Sequence, residues 1–245
     1  AGIGIAKHIV ASLVSMGLDK EQAYALIYLI DKDGLITDKS QNVTDQQRLF
    51  AKKMSACNLD EVISATRANI LIGTSAAKGS FKQSTIKAML LNDPRPMILI
   101  LSNPSSRMEA DPSDVITWSN GSAQVACGSP YQNVVYNGQS IKIAQCNNFL
   151  SFPGIGMATV VVKPKYITTE MLLEASLTLS RLAQSQNSLL PDLSNYKSIT
   201  INVAISVARK AIEQGIATID DFPDDLQSHV EKMIWRAEYM HYRAI

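Results

Sequence analysis

One apolar run, followed at once by polar residues and a proline, constrains the fold of this chain more than any other feature. The run Met97-Ile-Leu-Ile-Leu101 is followed directly by Ser102, Asn103 and Pro104. An uninterrupted apolar run of this length is typical of a strand that is buried on both faces of a parallel sheet. Because open α/β sheets bind their ligands beyond the carboxyl ends of the strands, Asn103 is a candidate site residue.

A second polar stretch has a similar character. Two adjacent amides, Asn147 and Asn148, lie just upstream of the Pro153-Gly154 pair. An Asn amide both donates and accepts hydrogen bonds without adding charge, which suits a carboxylate, a hydroxyl or a nicotinamide carboxamide. Asn is also a common turn residue, so the alternative that Asn103, Asn147 and Asn148 only stabilise turns stays open.

The order of the helical and strand patterns predicts the fold class. Strands are predicted at residues 24–30, 69–73, 97–101 and 123–127. Helices are predicted at residues 5–14, 44–57, 59–65, 80–91, 112–118, 168–184, 198–214 and 223–240. The alternation predicts an α/β fold with a Rossmann-like, doubly wound parallel sheet, followed by C-terminal helices. We expect a dinucleotide-binding core over residues 1–163 and a helical extension of the same domain over residues 164–245.

The first residues match half of a dinucleotide-binding fingerprint. Gly2 and Gly4 open a helical pattern, and Asp31 follows the predicted strand 24–30. A glycine-rich helix start, followed roughly 20–30 residues later by a strand that ends in an acid, is the second half of that fingerprint. On this interpretation the chain begins inside the glycine motif and its first strand is missing. Alternatively, the glycines ease close packing and Asp31 caps a loop.

The turn after the predicted strand 69–73 is a further candidate. Thr74 and Ser75 begin a segment that superficially resembles a phosphate loop, but its order is Lys78-Gly79-Ser80. A nucleoside triphosphate loop needs Gly-Lys-Ser/Thr, so that function is excluded. Two alternatives stay open, a polar turn that contacts a ribose or base and a plain strand-to-helix loop.

Composition narrows the class of protein. The 245 residues carry a net charge of +1 without a basic stripe, which argues against a nucleic-acid partner. Cys57, Cys127 and Cys146 are odd in number and widely spaced, which favours free thiols and a cytoplasmic location. No apolar run approaches the roughly 20 residues that cross a bilayer, so we expect no membrane partner.

Three blocks of the sequence resemble the signature blocks of the malic enzymes. They are residues 101–109 (Leu-Ser-Asn-Pro-Ser-Ser-Arg-Met-Glu), residues 125–131 and residues 145–156, and residues 30–36 and 72–75 match in the same order. The resemblance implies the C-terminal, NAD-binding domain of a bacterial NAD-dependent malic enzyme. Such an enzyme oxidises L-malate to pyruvate and CO₂ with reduction of NAD.

The resemblance also implies roles for individual residues. Those on the cofactor side are Gly2 at the pyrophosphate, Asp31 at the adenosine ribose, Thr74 and Ser75 near the adenine and its ribose, and Ser102 and Asn103 at the nicotinamide. Asn103, Asn147 and Asn148 would bind malate. Asp31 favours the free 2′-hydroxyl of NAD, although the neighbouring Lys32 could meet the 2′-phosphate of NADP.

The family's remaining functional groups lie upstream of the glycine fingerprint. These are a catalytic lysine and tyrosine, and three acidic ligands for Mg²⁺ or Mn²⁺. The resemblance therefore implies no catalytic or metal-binding residue in this chain, a partner N-terminal lobe and a homo-oligomeric parent protein. Two alternatives remain, a malolactic enzyme that converts malate to lactate, and a non-catalytic dinucleotide-sensing module. The upstream sequence would separate the enzymes from the sensing module.

Overall fold

The computed structural model describes residues 1–186, 188–219, 225–234 and 239. The chain divides into two compact units. The first comprises Ala1–Asn147 with Leu182–Leu193, and the second comprises Asn148–Arg181 with the residues from Ser194 onward. None of the helices in the described ranges is both long and apolar enough to span a membrane.

Helices and strands alternate along the first unit. In the described part of the chain the α-helices are α1 (Gly2–Ser15), α2 (Lys20–Ala25), α3 (Asp45–Arg48), α4 (Leu59–Thr66), α5 (Gln83–Asn92), α6 (Pro112–Trp118), α7 (Phe152–Val162), α8 (Thr169–Ser185), α9 (Tyr196–Glu213) and α10 (Leu226–Met233). The strands are β1 (Ile30–Asp31), β2 (Gly34–Leu35), β3 (Ile70–Gly73), β4 (Met97–Ile100), β5 (Gln124–Cys127), β6 (Val134–Tyr136), β7 (Gln139–Ile141) and β8 (Ala144–Gln145). Short 3₁₀ helices cover Ser105–Arg107, Asn148–Leu150 and Leu193–Asn195.

A four-stranded parallel sheet forms the centre of the first unit. Its order is β3-β4-β5-β8, and every neighbouring pair is parallel. Gly73 lies opposite Ile100, which lies opposite Cys127, and Cys127 lies opposite Gln145. All four strands therefore end together at one edge. The predicted α/β fold with a parallel sheet is confirmed.

The sheet rests on a continuous hydrophobic core. Ile98 and Ile100 of β4 are fully buried, as are Ile86 and Met89 of α5. Burying each such side chain contributes about 1.5–3 kcal/mol. The apolar run at 97–101 forms a strand, as the sequence predicts. Its burial alternates, because Ile98 and Ile100 are buried whereas Met97 and Leu99 on the other face are only partly buried. The expectation that both faces are fully buried is therefore wrong.

The predicted strand 24–30 is wrong. Residues 20–25 form α2 instead, because the side chain of Asp19 accepts hydrogen bonds from the backbone N–H groups of Glu21 and Gln22 and so caps a helix. Strand β1 begins only at Ile30. It pairs with β2 in an antiparallel hairpin, outside the parallel sheet.

The predicted helix 44–57 is too long. Its start is correct, since Thr44 and Gln47 form a reciprocal capping box, but α3 ends at Arg48. The backbone N–H of Lys52 donates to the carbonyl of Ile36 at 3.0 Å instead of continuing the helix. A small second core lies nearby, formed by the buried residues Ala6, Val10, Ala23 and Phe50.

The second unit is helical, and α8 and α9 correspond to the predicted helices 168–184 and 198–214. The expected division into a core of residues 1–163 and an extension of residues 164–245 stays a prediction. Helices α7 and α9 approach closely at Gly154, where an added Cβ atom would lie 2.6 Å from the Cβ of Val203. The last predicted helix, 223–240, appears as α10, whose N-terminus is capped by Asp225. Residues 220–224, 235–238 and 240–245 lie outside the described residues.

Candidate functional site

The carboxyl edge of the parallel sheet brings together the polar loops that the sequence singles out. Thr74 and Ser75 follow β3, whereas Ser102 and Asn103 follow β4. Asn147 lies two residues beyond the end of β8. The parallel register places these three loops at the same edge, where ligands of open α/β sheets bind.

Gly2 lies beside the loop that follows β3. It is the first residue of α1, and an added Cβ atom there would lie only 2.8 Å from the Oγ1 of Thr74. The absence of a side chain therefore lets the start of a 14-residue helix approach the carboxyl end of β3. The backbone N–H groups at such a helix start are the groups that bind phosphates in dinucleotide folds.

Ser75 and Ser102 are joined through one buried carboxyl group. Oε1 of Glu109 accepts hydrogen bonds from the Ser75 backbone N–H at 2.9 Å, from the Ser75 hydroxyl at 3.1 Å and from the Ser102 hydroxyl at 2.5 Å. Ser102 is itself buried, and its Oγ accepts from the backbone N–H of Ala76 at 2.9 Å. The loops after β3 and β4 thus share a single anchoring atom.

Asn103 is exposed and is oriented by the loop after β5. Its Oδ1 accepts a hydrogen bond from the hydroxyl of Ser129 at 2.6 Å. Gly128 leaves room for this amide, since an added Cβ atom at 128 would lie 2.6 Å from the Nδ2 of Asn103. The peptide bond between Asn103 and Pro104 is cis.

Asp31 lies in the β1–β2 hairpin and not in the parallel sheet. Its exposed carboxylate accepts hydrogen bonds from the backbone N–H of Lys32 at 2.8 Å and from the side-chain amide of Gln47 at 3.1 Å. The structure thus explains how Asp31 is oriented. Its predicted contact with the adenosine ribose stays a prediction.

The two amides of the Asn147–Asn148 pair fall in different units. Asn147 ends the first unit and Asn148 begins the second, where it opens the 3₁₀ helix Asn148–Leu150. The carbonyl of Asn148 accepts from both the backbone N–H and the hydroxyl of Ser151, which is a turn role. That role concerns the backbone, and the predicted contact of the Asn148 side chain with malate stays a prediction.

The chemistry of this edge is mainly that of neutral donors and acceptors. Burial, with nearby Cys146 and Asp111, raises the pKa of the Cys127 thiol to about 11, so this group is uncharged at neutral pH. Burial also raises the pKa of Cys146. Among the described residues no group of three or more His, Cys, Asp or Glu side chains could hold a metal ion.

Glu109 is the site residue that the sequence analysis missed. It lies within the block 101–109, but that block supplied no role for it. A signal was present, because Glu109 stands between Met108 and Ala110, and an acid between apolar residues is a candidate for burial. Its partner Ser102 lies seven residues upstream in the same block. Its partner Ser75 lies 34 residues upstream, and only the fold reveals that contact.

A parallel sheet with polar loops at its carboxyl edge, and a glycine at the start of an adjacent helix, defines a nucleotide-binding α/β domain. The comparisons with known proteins narrow this class. The family model described as malic enzyme, NAD binding domain, matches residues 1–212. The chain therefore belongs to that family, which confirms the resemblance in its signature blocks.

Curated relatives agree with this family assignment. The NAD-dependent malic enzymes of Vibrio campbellii and Acinetobacter baylyi are 40% and 39% identical to the chain over 99% and 100% of its length. The alignments cover 46% of each relative, so the chain spans about half the length of the curated relatives it matches.

Two crystal structures of malic enzymes share the fold. The Entamoeba histolytica structure has a TM-score of 0.68 at 21% identity and matches 91% of this chain and 43% of its own. The Pyrococcus horikoshii structure has a TM-score of 0.63, also at 21% identity, and matches 81% of this chain and 43% of its own.

Proposed function

We propose that this chain is the NAD-binding lobe of an NAD-dependent malic enzyme. The parent protein oxidises L-malate to pyruvate and CO₂ with reduction of NAD. The observation that carries the proposal is the family match over residues 1–212, in a chain whose polar loops meet at one edge of a parallel sheet. The proposed parent is a cytoplasmic homo-oligomer.

The proposed contacts give NAD one orientation along the carboxyl edge of the sheet. Gly2 and the start of α1 hold the pyrophosphate, since the glycine admits close approach beside Thr74. Thr74 and Ser75 lie on the adenine side with Asp31, whereas Ser102 and Asn103 lie on the nicotinamide side. The bound cofactor supplies a hydride acceptor, and the chain supplies its orientation.

Malate binding uses neutral amides. Asn103, Asn147 and Asn148 donate to the carboxylates or the hydroxyl of malate, which holds the carbon that loses hydride in register with the nicotinamide. The proton acceptor for the hydroxyl is not assigned to this chain. We assign it, with the proton donor, to the lysine and tyrosine of an N-terminal lobe.

A divalent cation belongs to the same proposal but not to these residues. The described part of the chain forms no carboxylate cluster with the geometry of a metal site. We assign the Mg²⁺ or Mn²⁺ ligands to acidic residues of the N-terminal lobe, as the resemblance to the malic enzymes implies.

The role of Asp31 is tested with the parent protein. Asp31→Ala should raise the NAD Michaelis constant more than the malate constant, because a hydrogen bond to the ribose is lost. The neighbouring exposed acid Asp33 provides a matched control, since Asp33→Ala removes the same charge from the same hairpin. An NAD constant that is the same in both variants would contradict the role of Asp31.

The role of Asn148 is tested through malate. Loss of one ligand donor costs on the order of 1–3 kcal/mol, so Asn148→Ala should lower kcat/KM for malate by about ten- to a hundredfold. Asn133→Ala, at an exposed loop position in the first unit, is the control. If the folded Asn148→Ala variant keeps both turnover and malate affinity, Asn148 does not bind malate and only stabilises the turn.

The third test asks whether the catalytic groups lie in this chain or in the N-terminal lobe. The 245-residue chain, assayed with malate, NAD and Mn²⁺, should form no NADH, because the groups that move protons are assigned to the other lobe. The product of the parent protein is measured alongside it. Pyruvate supports the malic enzyme, whereas lactate would indicate a malolactic reaction. Turnover by the chain alone near the roughly 10 s⁻¹ of a typical enzyme would contradict the assignment.

A further inference from the structure

We propose that Glu109 is a positioning residue for dinucleotide binding, which fixes the loop after β3 relative to the loop after β4. The inference rests on the proposed function, because it concerns how the same edge holds NAD. Glu109 does not itself touch the cofactor in this proposal. It acts through Ser75 and Ser102.

The hydrogen bonds of Glu109 converge on one oxygen atom. Oε1 accepts from the backbone N–H and the hydroxyl of Ser75 and from the hydroxyl of Ser102, at 2.9, 3.1 and 2.5 Å. Hydrogen bonds to a carboxylate are shorter and stronger than those between neutral groups. Both loops are therefore hydrogen-bonded to the same oxygen atom, although Ser75 and Ser102 are 27 positions apart in the sequence.

The backbone of Glu109 adds a further constraint. Its carbonyl accepts a hydrogen bond from the backbone N–H of Phe81 at 3.0 Å, and Phe81 is buried in the core of the sheet. The carboxyl group is thus attached to the rigid part of the unit. The core therefore contributes to the geometry of both loops through Glu109.

The burial of Glu109 carries a cost that stability alone does not explain. The residue is 0% exposed, and its Oε2 has no hydrogen-bond partner within the described residues. An unpartnered buried oxygen is unfavourable for folding and calls for an explanation. A role in setting the distance between two cofactor-binding loops provides one.

Gly73 makes the space that this carboxyl group occupies. An added Cβ atom at position 73 would lie 2.6 Å from Cδ and 2.7 Å from Oε2 of Glu109. Gly73 does not have a positive φ, so the need for glycine is steric. Gly73→Ala should therefore displace the carboxyl group while leaving Glu109, Ser75 and Ser102 in the sequence. It therefore disturbs the carboxyl group of Glu109 without changing Glu109 itself.

The experiment compares Glu109→Gln and Gly73→Ala in the parent protein. NAD affinity is measured by calorimetry, and the Michaelis constants for NAD and malate are measured separately. Glu109→Gln keeps the size of the side chain but weakens its hydrogen bonds to Ser75 and Ser102, so we expect about a tenfold weaker NAD affinity, which corresponds to about 1.4 kcal/mol. Gly73→Ala should act in the same direction. The malate constant should change less than about threefold. A general loss of folded protein would lower the maximal rate and leave both Michaelis constants unchanged, so a selective rise in the NAD constant distinguishes the two cases.

A matched control separates positioning from stability. Asp60 also accepts two short hydrogen bonds, from the hydroxyls of Ser84 and Thr85, both at 2.6 Å, and it joins α4 to α5. Asp60→Asn should lower the thermal midpoint but leave NAD affinity unchanged. Adding Ser102→Ala to Glu109→Gln should weaken NAD binding by less than the product of the two single effects, because the two residues act through one hydrogen bond.

The outcomes distinguish this inference from the proposed function. A wild-type parent protein that does not bind NAD would overturn both. Wild-type binding together with unchanged affinity in Glu109→Gln and Gly73→Ala would overturn the role of Glu109 alone. If Glu109→Gln does not fold, Gly73→Ala decides the question. An equal loss of NAD affinity in Asp60→Asn would reduce Glu109 to a structural residue.

Discussion

The loops at the carboxyl edge of the sheet and the β1–β2 hairpin carry predicted cofactor contacts, but they are held in different ways. Ser75 and Ser102 bind a fully buried carboxyl group above a continuous core. Asp31 is exposed and is oriented by its own neighbour Lys32 and by the side chain of Gln47. The contacts of the first region are buried at Ser102 and partly buried at Ser75, whereas those of Asp31 are exposed and compete with water.

This difference concerns how firmly each region holds its predicted contact residues in place. A hydrogen bond to a charged group contributes about 1.5–3 kcal/mol, and competition with water lowers the contribution of an exposed one. The sheet edge can therefore hold its loops in one arrangement without a ligand. The hairpin is anchored by the buried Leu35, whose backbone N–H donates to the carbonyl of Cys57 at 3.0 Å. The four predictions below test this contrast, beginning with the largest expected effect.

The first prediction compares the same substitution in both regions. Ile100 of β4 is fully buried, whereas Ile30 of β1 is only partly buried. Ile100→Ala should lower the free energy of unfolding by about 3 kcal/mol, and Ile30→Ala by about 1 kcal/mol, because less apolar surface is lost. Urea unfolding monitored by circular dichroism measures both. Equal losses would mean that the hairpin is anchored as firmly as the sheet.

The second prediction concerns the most constrained point of the hairpin. Gly34 has φ +94°, and an added Cβ atom would lie 2.7 Å from the carbonyl oxygen of Cys57. Gly34→Ala should cost about 2 kcal/mol, because both the backbone conformation and the space exclude a side chain. Gly4→Ala is the control, since nothing lies within 4 Å of an added Cβ there. In a helix that substitution should be neutral or slightly stabilising. A tolerated Gly34→Ala would show that the turn adapts freely.

The third prediction uses thiol reactivity to compare access. Cys127 of β5 is fully buried and its pKa is raised to about 11, mainly by burial, whereas Cys57 beside the hairpin is partly exposed. Iodoacetamide at about pH 8 should alkylate Cys127 at least tenfold more slowly than Cys57, because thiolate and access are both required. Peptide mass spectrometry over time gives both rates. Faster labelling of Cys127 would show that the sheet edge opens in solution.

The fourth prediction is the smallest and depends on pH. The ammonium of Lys52 donates to the carbonyls of Tyr24 and Ala25, at 2.7 and 2.9 Å, and burial lowers its pKa from 10.5 to about 8. Between pH 8 and pH 10.5 the unfolded chain therefore binds more protons at this residue than the folded chain does. The contribution of Lys52 to stability should rise with pH in this window, by less than about 1 kcal/mol after solvent screening.

Lys52→Met provides the comparison for that measurement. The stability of the wild-type chain should increase relative to the variant between about pH 7.5 and about pH 9.5, as measured by urea unfolding. A relative decrease would mean that the two carbonyls hold the ammonium strongly enough to reverse the effect of burial.

The parts of the fold that the sequence predicts correctly are those with one dominant local signal. Strand β4 is a continuous apolar run, and α6 has Pro112 in its first turn with Asp111 as its cap. Residues 24–30 carry two competing signals, a strand-like apolar composition and the helix cap of Asp19, and the cap determines the structure of residues 20–25. Strand β8 has only two residues and leaves no pattern to detect.

One missed element did leave a signal in the sequence. Strands β6 and β7 flank Asn137 and Gly138, both with positive φ, and an Asn-Gly pair between short strands is typical of a tight hairpin turn. Glu109 is different, because its position depends on Gly73 and on Ser75, which are both more than 30 residues away in the sequence. Candidate contact residues can therefore be predicted from strand ends, whereas the group that positions them requires the fold.

The close approach of Gly2 to Thr74 has a consequence for how related sequences diverge. A single side-chain atom, the Oγ1 of Thr74, obstructs a Cβ atom at position 2, at 2.8 Å. Neither position is constrained by an unusual backbone conformation. An alanine at position 2 thus becomes acceptable once position 74 loses its hydroxyl-bearing branch. Among related sequences, a larger residue at position 2 should therefore occur together with a smaller residue at position 74, although the two positions are 72 residues apart.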